Sequence, residues 1–589
     1  MAGQPKAPFY VAVGVVVLAL VAFAAWRVSG PGPSVAGKKA PPIGEVKGQG
    51  GTPPGPQEGP TPPADKPVEG PDTKTPTTVD VYKIVPAERL PPVKGTSAYK
   101  ALQNETVRFA LNVWAGWGPI ILANEGFKPA KAWKTPEGKD FRVELVLIDD
   151  PVAMRNAYAA GEIHVGWGTL DMVPLFVDGF VRAGDSRVMP RVYQQIDWSN
   201  GGDGLVVREA VKSVADLRDK RIVLAQNSPS EYFALNMLVA GGVQPGELKM
   251  DFTSTAFEAA AAFARDKSLA GAVSWAPDIY NLAKARGNRM LVTTQTANKL
   301  IADVWFARAD FARDRMDIIE GLVRGIFDAM EELKNPDRKQ QCAKLMADGY
   351  NIPPTDAMTM FGDAHNTNWA ENYQFFMNRN NPTNFERVWQ QAYYLYRRVG
   401  RVENAPVAFD QVMDFSIIDK LGKEEKYKSQ KDQYQVKFVP TSVGDIEIEK
   451  RPFLVNTVTI HFFPNSWDLH KKVSTRVDGK EVEELYDPSA DAVIEEVAKV
   501  AGQFGAAHIG IVGHTDSSYK GQVPASLVKE LSQNRANAVK EALVQKYSLD
   551  PNQFATEGKG WDVPADPGDP LNQAKNRRVE IKVYPAEQQ

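Results

Sequence analysis

Between residues 28 and 104 the chain runs through Pro31-Gly32-Pro33, Gly50-Gly51-Thr52-Pro53-Pro54-Gly55-Pro56 and Thr61-Pro62-Pro63. No helix or central strand tolerates that density of proline, and so little apolar surface cannot offset the entropy of ordering. The stretch reads as an extended, disordered tether; some 70 residues at polyproline rise reach at most about 200 Å. It divides the 589 residues into a short N-terminal piece and a remainder long enough for two or three folded units.

Residues 1–8 read as a short cytoplasmic N-terminus. Phe9 to Trp26 is 18 residues without a charge, preceded by Lys6 and followed by Arg27. As a helix it would be about 27 Å long, enough to cross a bilayer core. Residues 9–27 are therefore expected to form an N-terminal transmembrane helix. Ala22-Phe23-Ala24 also resembles a signal-peptide processing site, but a signal core runs only about 7–15 residues, and the length favours a retained anchor. Its flanking charges do not orient it, since Lys6 is outweighed by Arg27, Lys38 and Lys39. The segment holds no Asp or Glu, the membrane carboxylate that a proton-driven subunit needs. The formal net charge of -3 favours neither nucleic acid nor an anionic membrane surface as partner. The single cysteine, Cys342, excludes an intramolecular disulfide and reads as a small core residue.

Residues 105–421 alternate short apolar runs with helical segments. Val107–Leu111, Val143–Ile148, Ile163–Val165 and Arg221–Ala225 read as strands. Val152–Ala160, Tyr232–Val239, Ile318–Leu333 and Phe385–Arg398 read as helices. Strands separated by helices of this size predict parallel sheets with helices on both faces, and the length predicts two lobes. Residues 422–449, which include the lysine-rich stretch Lys423 to Lys437, read as a charged linker. From 450 to 589 the pattern becomes that of a compact α+β domain. Val458, Ile460 and Phe462 alternate as a strand, Val493, Val497 and Val500 share a helical face, and His508–Gly513 is a second strand. Leu531 to Leu543 is a second helix, and Val579, Ile581 and Val583 close the domain with a period of two.

Four blocks stand in this last region: Gly513-His514-Thr515-Asp516, Leu531-Ser532-Gln533-Asn534-Arg535-Ala536, Gly558-Lys559-Gly560 and Asn576-Arg577-Arg578-Val579-Glu580. In order and spacing they resemble the OmpA-like peptidoglycan-binding family. The resemblance implies a site for the diaminopimelate of the peptidoglycan stem peptide, formed by Asp516, Arg535 and Arg577 beside Thr515. Asp516 would take the ammonium, Arg535 would meet the carboxylate as a bidentate fork, and Arg577 would close the site. The bland alternative is an Asp516–Arg535 bridge that only locks strand to helix. Val528 stands where the family usually has an asparagine, and an insertion at about Lys471–Glu484 separates the first strand from the first helix. His514 reads as a structural strand-end residue.

The middle region carries Trp114-Ala115-Gly116-Trp117-Gly118-Pro119, Ala160-Gly161-Glu162-Ile163, Gly168-Thr169-Leu170-Asp171, Ser199 to Val207, Ser213 to Leu217 and Trp275-Ala276-Pro277-Asp278. It resembles the periplasmic solute-binding proteins of the nitrate, sulfonate, taurine and thiamine-precursor type, which implies a two-lobed α/β fold with a ligand between the lobes. Candidate solute-binding residues are Trp114, Trp117, Thr169, Asp171, Ser228, Ser230 and Trp275. Asn227-Ser228-Pro229-Ser230 follows a strand and opens a helix, so its N–H groups and hydroxyls suit an anion or polar oxygen. Core packing is the plain alternative for the tryptophans, and helix capping for the serines. Gly201-Gly202-Asp203-Gly204 is expected to shape the turn into a lobe-crossing strand.

Nothing in the sequence points to catalysis or a cofactor. The histidines 164, 365, 461, 470, 508 and 514 have no ligand spacing, and there is no phosphate loop or nucleophile elbow. Asp149-Asp150 are adjacent on a strand and point oppositely. The chain thus reads as a non-enzymatic, inner-membrane-anchored protein of a Gram-negative periplasm. Its expected partners are peptidoglycan and a small polar or anionic solute, with a membrane permease or proton-channel complex as a further possibility. The rival reading is a structural or motor-associated wall tether, in which the solute-binding fold is a spacer or docking surface.

Overall fold

The computed structural model describes residues 75–477 and 480–585. The segment Phe9–Trp26 and the tether as far as residue 74 lie outside the described residues. Among the described residues no helix is long and apolar enough to cross a membrane.

Two sheets build the middle of the chain. The first has seven strands in the spatial order Ala364–Asn366, Pro190–Ser199, Ala302–Arg308, Val165–Thr169, Thr106–Leu111, Asp140–Leu147 and Trp133–Lys134. The second has five, in the order Asn288–Thr293, Asp203–Arg208, Gly271–Trp275, Arg221–Ala225 and Lys249–Thr253. The chain leaves the first lobe between Ser199 and Asp203 and returns between Thr293 and Ala302. Gly201, at φ +97°, makes the first crossing possible.

The sheets are mixed, where the sequence pattern predicted parallel ones. Thr106–Leu111 and Arg221–Ala225 each run parallel to both neighbours. The crossing strands pair antiparallel: Pro190–Ser199 with Ala302–Arg308, and Asp203–Arg208 with Asn288–Thr293. A strand leaving a lobe and the strand re-entering beside it must run in opposite directions.

Helices Pro151–Ala159, Pro229–Ala240, Met316–Glu332 and Phe385–Arg398 lie where apolar spacing put them. Asp150 caps the first of these by accepting from the Ala153 N–H at 2.7 Å, and Asp149 accepts from the Val113 N–H at 2.7 Å. The paired carboxylates are thus spent on backbone. Cys342 is buried, donates to the Gly118 carbonyl at 3.2 Å, and has its thiol pushed up to about 12 by burial.

The tether expected to run to residue 104 ends earlier. From Thr77 onward it lies along both lobes. The Thr78 N–H and hydroxyl donate to Asp278, Val85 bridges to Phe252, and the Glu88 carbonyl accepts from Arg401 at 2.9 Å on the second-lobe side. On the first lobe the Pro91 carbonyl accepts from Arg155 at 2.8 Å, and the Ser97 carbonyl accepts from Arg308 at 2.5 Å. A proline-rich strand has no internal hydrogen bonds, so its carbonyls are free for arginine donors on the surface it crosses.

The C-terminal domain is a four-stranded sheet in the order Leu454–Val458, Val579–Val583, Ile509–His514, Phe554–Gly560, with helices Ala490–Gln503 and Ala525–Tyr547. The first strand starts and ends four residues earlier than the Val458–Phe462 alternation suggested. A Cβ on Gly513 would come within 2.2 Å of the Ser532 carbonyl oxygen, and one on Gly558 within 2.4 Å of that of Lys529. Those glycines bring the helix 525–547 directly against the sheet, where the Gly558 N–H donates to Gln533 and the Gly560 N–H to Ser532. The insertion is an antiparallel hairpin, Lys472–Val477 with Lys480–Leu485.

Residues 422–449 are not a free linker. Glu424 pairs with Arg324 at 2.6 Å, and Tyr434 stacks on His365 with ring centroids 3.9 Å apart. Val443 and Ile446 of the helix Val443–Glu449 pack with Val512, Ala555 and Tyr584, so this helix belongs to the C-terminal domain. That domain is docked on the lobes. The Val214 N–H donates to the Phe453 carbonyl at 2.9 Å, the Lys299 N–H donates to the Gln503 carbonyl at 3.2 Å, and Arg387 pairs with Glu495 at 3.1 Å.

Candidate functional site

At the end of strand Ile509–His514 the Thr515 N–H donates to the Gly560 carbonyl at 2.8 Å, and Asp516 emerges at the rim. The Asp516 carboxylate accepts from Arg577 at 2.9 Å and from the Ser518 N–H at 3.0 Å. Burial pushes this carboxyl up, but Arg577 and Ser518 outweigh it and hold it below the usual range. Arg535 comes from the helix 525–547. Its Nε donates to the Ser466 carbonyl at 3.1 Å, and its guanidinium carbon lies 4.9 Å from the Phe462 ring centroid. Burial lowers its pKa to about 10, which leaves it charged at neutral pH.

The terminal nitrogens of Arg535 have no hydrogen-bond partner among the described residues. The ion pair made by Asp516 is with Arg577, not with Arg535. The Thr515 hydroxyl is buried and unpartnered. A carboxylate, a cation with an open fork and a second cation therefore meet at one rim. Phe462 and Ser466, which position Arg535, were not legible as site residues, because Phe462 read as a strand position.

The interlobe seam is differently made. Thr169 ends a strand of the first lobe and Asp171 follows; both are buried. The Tyr396 hydroxyl lies 3.1 Å from an Asp171 oxygen and 3.2 Å from the Ser228 carbonyl oxygen, so one side chain bridges the two lobes. Ser228 stands at the start of helix Pro229–Ala240, but its hydroxyl donates to the Ala225 carbonyl at 2.8 Å. The Asn227 N–H, expected to meet an anion, donates instead to Glu231 at 2.6 Å, and Glu231 pairs with Arg401 at 2.8 Å. The Ser230 hydroxyl is buried without a partner.

The three tryptophans part company. Trp117 sits in the first-lobe core, 6.0 Å from Phe109 edge to face, with its indole donating to Asn112. Trp275 ends a second-lobe strand against Phe257, with centroids 5.6 Å apart. Trp114 reaches the seam: its Nε1 lies 3.3 Å from both oxygens of Asp197, and its ring abuts Gly202, where a Cβ would come within 2.6 Å. The structure thus gathers Thr169, Asp171 and Ser228 around Tyr396, with Trp114 adjoining through Asp197. Tyr396, Asp197, Asp203 and Asp303 escaped sequence reasoning, since single acids and tyrosines in strands and helices carry no spacing signal.

These two sites define a composite of a two-lobed α/β module and a small α+β module. Residues 481–578 match the OmpA family. Over 88 residues the chain is 42% identical to the outer membrane protein Omp38 of Acinetobacter baumannii, covering 14% of this chain and 24% of that protein. Over 193 residues it is 26% identical to the taurine-binding periplasmic protein of Escherichia coli, covering 32% of this chain and 57% of that protein. The periplasmic aliphatic sulphonate binding protein SsuA of Escherichia coli aligns in structure at 18% identity with a TM-score of 0.39, over 52% of this chain and 97% of that one. The C-terminal region is an OmpA-family domain, and the middle region is similar to periplasmic solute-binding proteins.

Proposed function

We propose that this protein binds peptidoglycan through Asp516, Arg535, Arg577 and Thr515, and takes a small solute between the lobes of its middle domain. It performs no chemistry of its own and is held to the inner membrane of a Gram-negative cell by residues 9–27. The observation that carries this reading is Arg535. Its Nε is fixed by Ser466 and its plane by Phe462, while its outer nitrogens have no hydrogen-bond partner among the described residues and its charge is felt by Asp516. A group bearing both an ammonium and a carboxylate, as the end of diaminopimelate does, matches that arrangement.

The test is co-sedimentation of the full-length protein with purified sacculi. Asp516→Ala and Arg535→Ala should each lose about 2–5 kcal/mol of binding, because a charged ligand group is left without its partner. That is roughly 30- to several-thousand-fold in affinity. Lys keeps the charge of Arg535 and loses only the fork, so a wild-type pellet for Arg535→Lys removes the bidentate role. N-terminal sequencing of the mature protein tests the anchor: a start near Ala25 means the segment is a cleaved signal.

For the solute site, the reading rests on Thr169, Asp171, Ser228 and Ser230 with Trp114 at the edge; Trp117 packs in the first-lobe core, and Trp275 stands directly opposite Asp203 on the neighbouring strand. Thermal unfolding with candidate solutes is the measurement, since a ligand at about 100 times its Kd adds about 2.7 kcal/mol.

A further inference from the structure

Four carboxyls meet along the interlobe seam: Asp171, Asp197, Asp203 and Asp303, each no more than 5% exposed. Asp303 stands directly opposite Thr169 on one neighbouring strand and opposite Asp197 on the other. Directly paired residues project to the same face of a sheet, so Thr169, Asp303 and Asp197 form a row. The two carboxyls act directly on each other, and Asp197 raises that of Asp303. Asp203 accepts from the Ser199 hydroxyl at 2.7 Å at the lobe crossing.

None of the four forms an ion pair among the described residues. Their neighbours are Trp114, Tyr396, Tyr232, Ser199 and the Tyr280–Asp363 pair, none of them a cation. Arg401, which enters the second lobe close by, is already taken by Glu231. Buried carboxylates without a cation are costly, and sites built this way find the missing charge in a ligand or carry protons.

A second observation points to a ligand. One Asp171 oxygen and the Ser230 hydroxyl are buried with no hydrogen-bond partner, and the buried Thr169 hydroxyl has only the Asp171 carboxylate beside it. Thr169 belongs to the row containing Asp303, and Tyr232 lies in the field of Asp171. Donors and acceptors are thus left open at the same place as the unbalanced charge.

We propose that the solute of this seam is a small organic cation, an alkylammonium or guanidinium compound, whose N–H groups are held by Asp303, Asp171 and Thr169 with Asp197 behind them. This rests on the reading that the lobes take a solute, and it fixes the solute's charge. A sulfonate or nitrate would face four carboxyls with no cation to receive it.

Burial holds Asp171 up at about 6 and Asp203 at about 7, and raises both members of the Asp197–Asp303 pair. At neutral pH the set carries protons. A cation entering it drives protons out, whereas an anion draws protons in.

The experiment is calorimetric titration of the full-length protein at pH 7 with ethylammonium, putrescine and agmatine, and with ethanesulfonate and nitrate, in two buffers of different ionisation heat. The expected result is binding of amines with proton release. Asp303→Asn should weaken that binding by at least about tenfold, and Thr169→Val by a smaller factor. Asparagine is isosteric with the protonated carboxyl and cannot ionise, so this variant should fold. Binding of ethanesulfonate or nitrate with proton uptake overturns the proposal and leaves the solute reading standing. Silence from both classes overturns the proposal and the solute reading together.

Discussion

Two arginine–carboxylate pairs of this protein have the same chemistry and opposite surroundings. Arg577 and Asp516 lie 2.9 Å apart with 48% and 21% of their side chains exposed. Arg401 and Glu231 lie 2.8 Å apart with 4% and 0% exposed. Water can replace either partner of the first pair, so that pair is free to open for a ligand. The second is locked. Arg401 also lies over Phe252 at 4.6 Å and donates to the Glu88 carbonyl, while Glu231 accepts from the Asn227 N–H. It joins the proline-rich strap, the second lobe and the chain after helix Phe385–Arg398. The same kind of ion pair is open to water at the rim and a closed rivet at the second lobe.

Breaking the rivet should give the largest effect. Glu231→Ala leaves Arg401 charged and buried, and unfolding in denaturant should show a loss of about 3–5 kcal/mol. A loss below about 1 kcal/mol would mean that water reaches the pair and the contrast collapses.

A pH dependence should come next. Burial raises the Asp203 carboxyl to about 7 in the folded state, against about 4 unfolded. The stability tied to this group is therefore complete below pH 4 and lost as pH rises through 7. Asp203→Asn should flatten the fall in unfolding free energy between pH 4 and 7, by about 1.4 kcal/mol for each unit of the shift. An unchanged slope would place the titration elsewhere.

Gly558→Ala sharpens the comparison from the rim side. The added methyl meets the backbone at Lys529 and Gln533, and overpacking of this kind costs about 1–3 kcal/mol. Circular dichroism melting should show that loss, with sacculus binding weakened only as far as the helix bearing Arg535 shifts.

The smallest stability change is expected for Arg577→Ala, about 0–1 kcal/mol, because the pair it breaks is solvated. Sacculus binding should still fall. A large melting shift would make Arg577 a structural residue.

What the sequence determined by itself was local and motif-borne. The period of apolar residues placed helix Phe385–Arg398 and strand Arg221–Ala225 at their observed bounds, because each element buries one face and its spacing records that face. The blocks around Asp516, Arg535 and Arg577 were legible because their glycines and polar side chains answer to close contacts that few other residues satisfy. The tertiary structure decided the rest. Strand direction at the lobe crossings, the strap laid over both lobes and the docking of the C-terminal domain depend on contacts between residues far apart in the chain. The seam is the clearest case. Asp197 and Asp303 are 106 positions apart and carry no signal alone, and only pairing of their strands brings two carboxyls side by side in a place that water does not reach. Charge balance in a buried site belongs to the assembled space around it, and a linear pattern does not record that space.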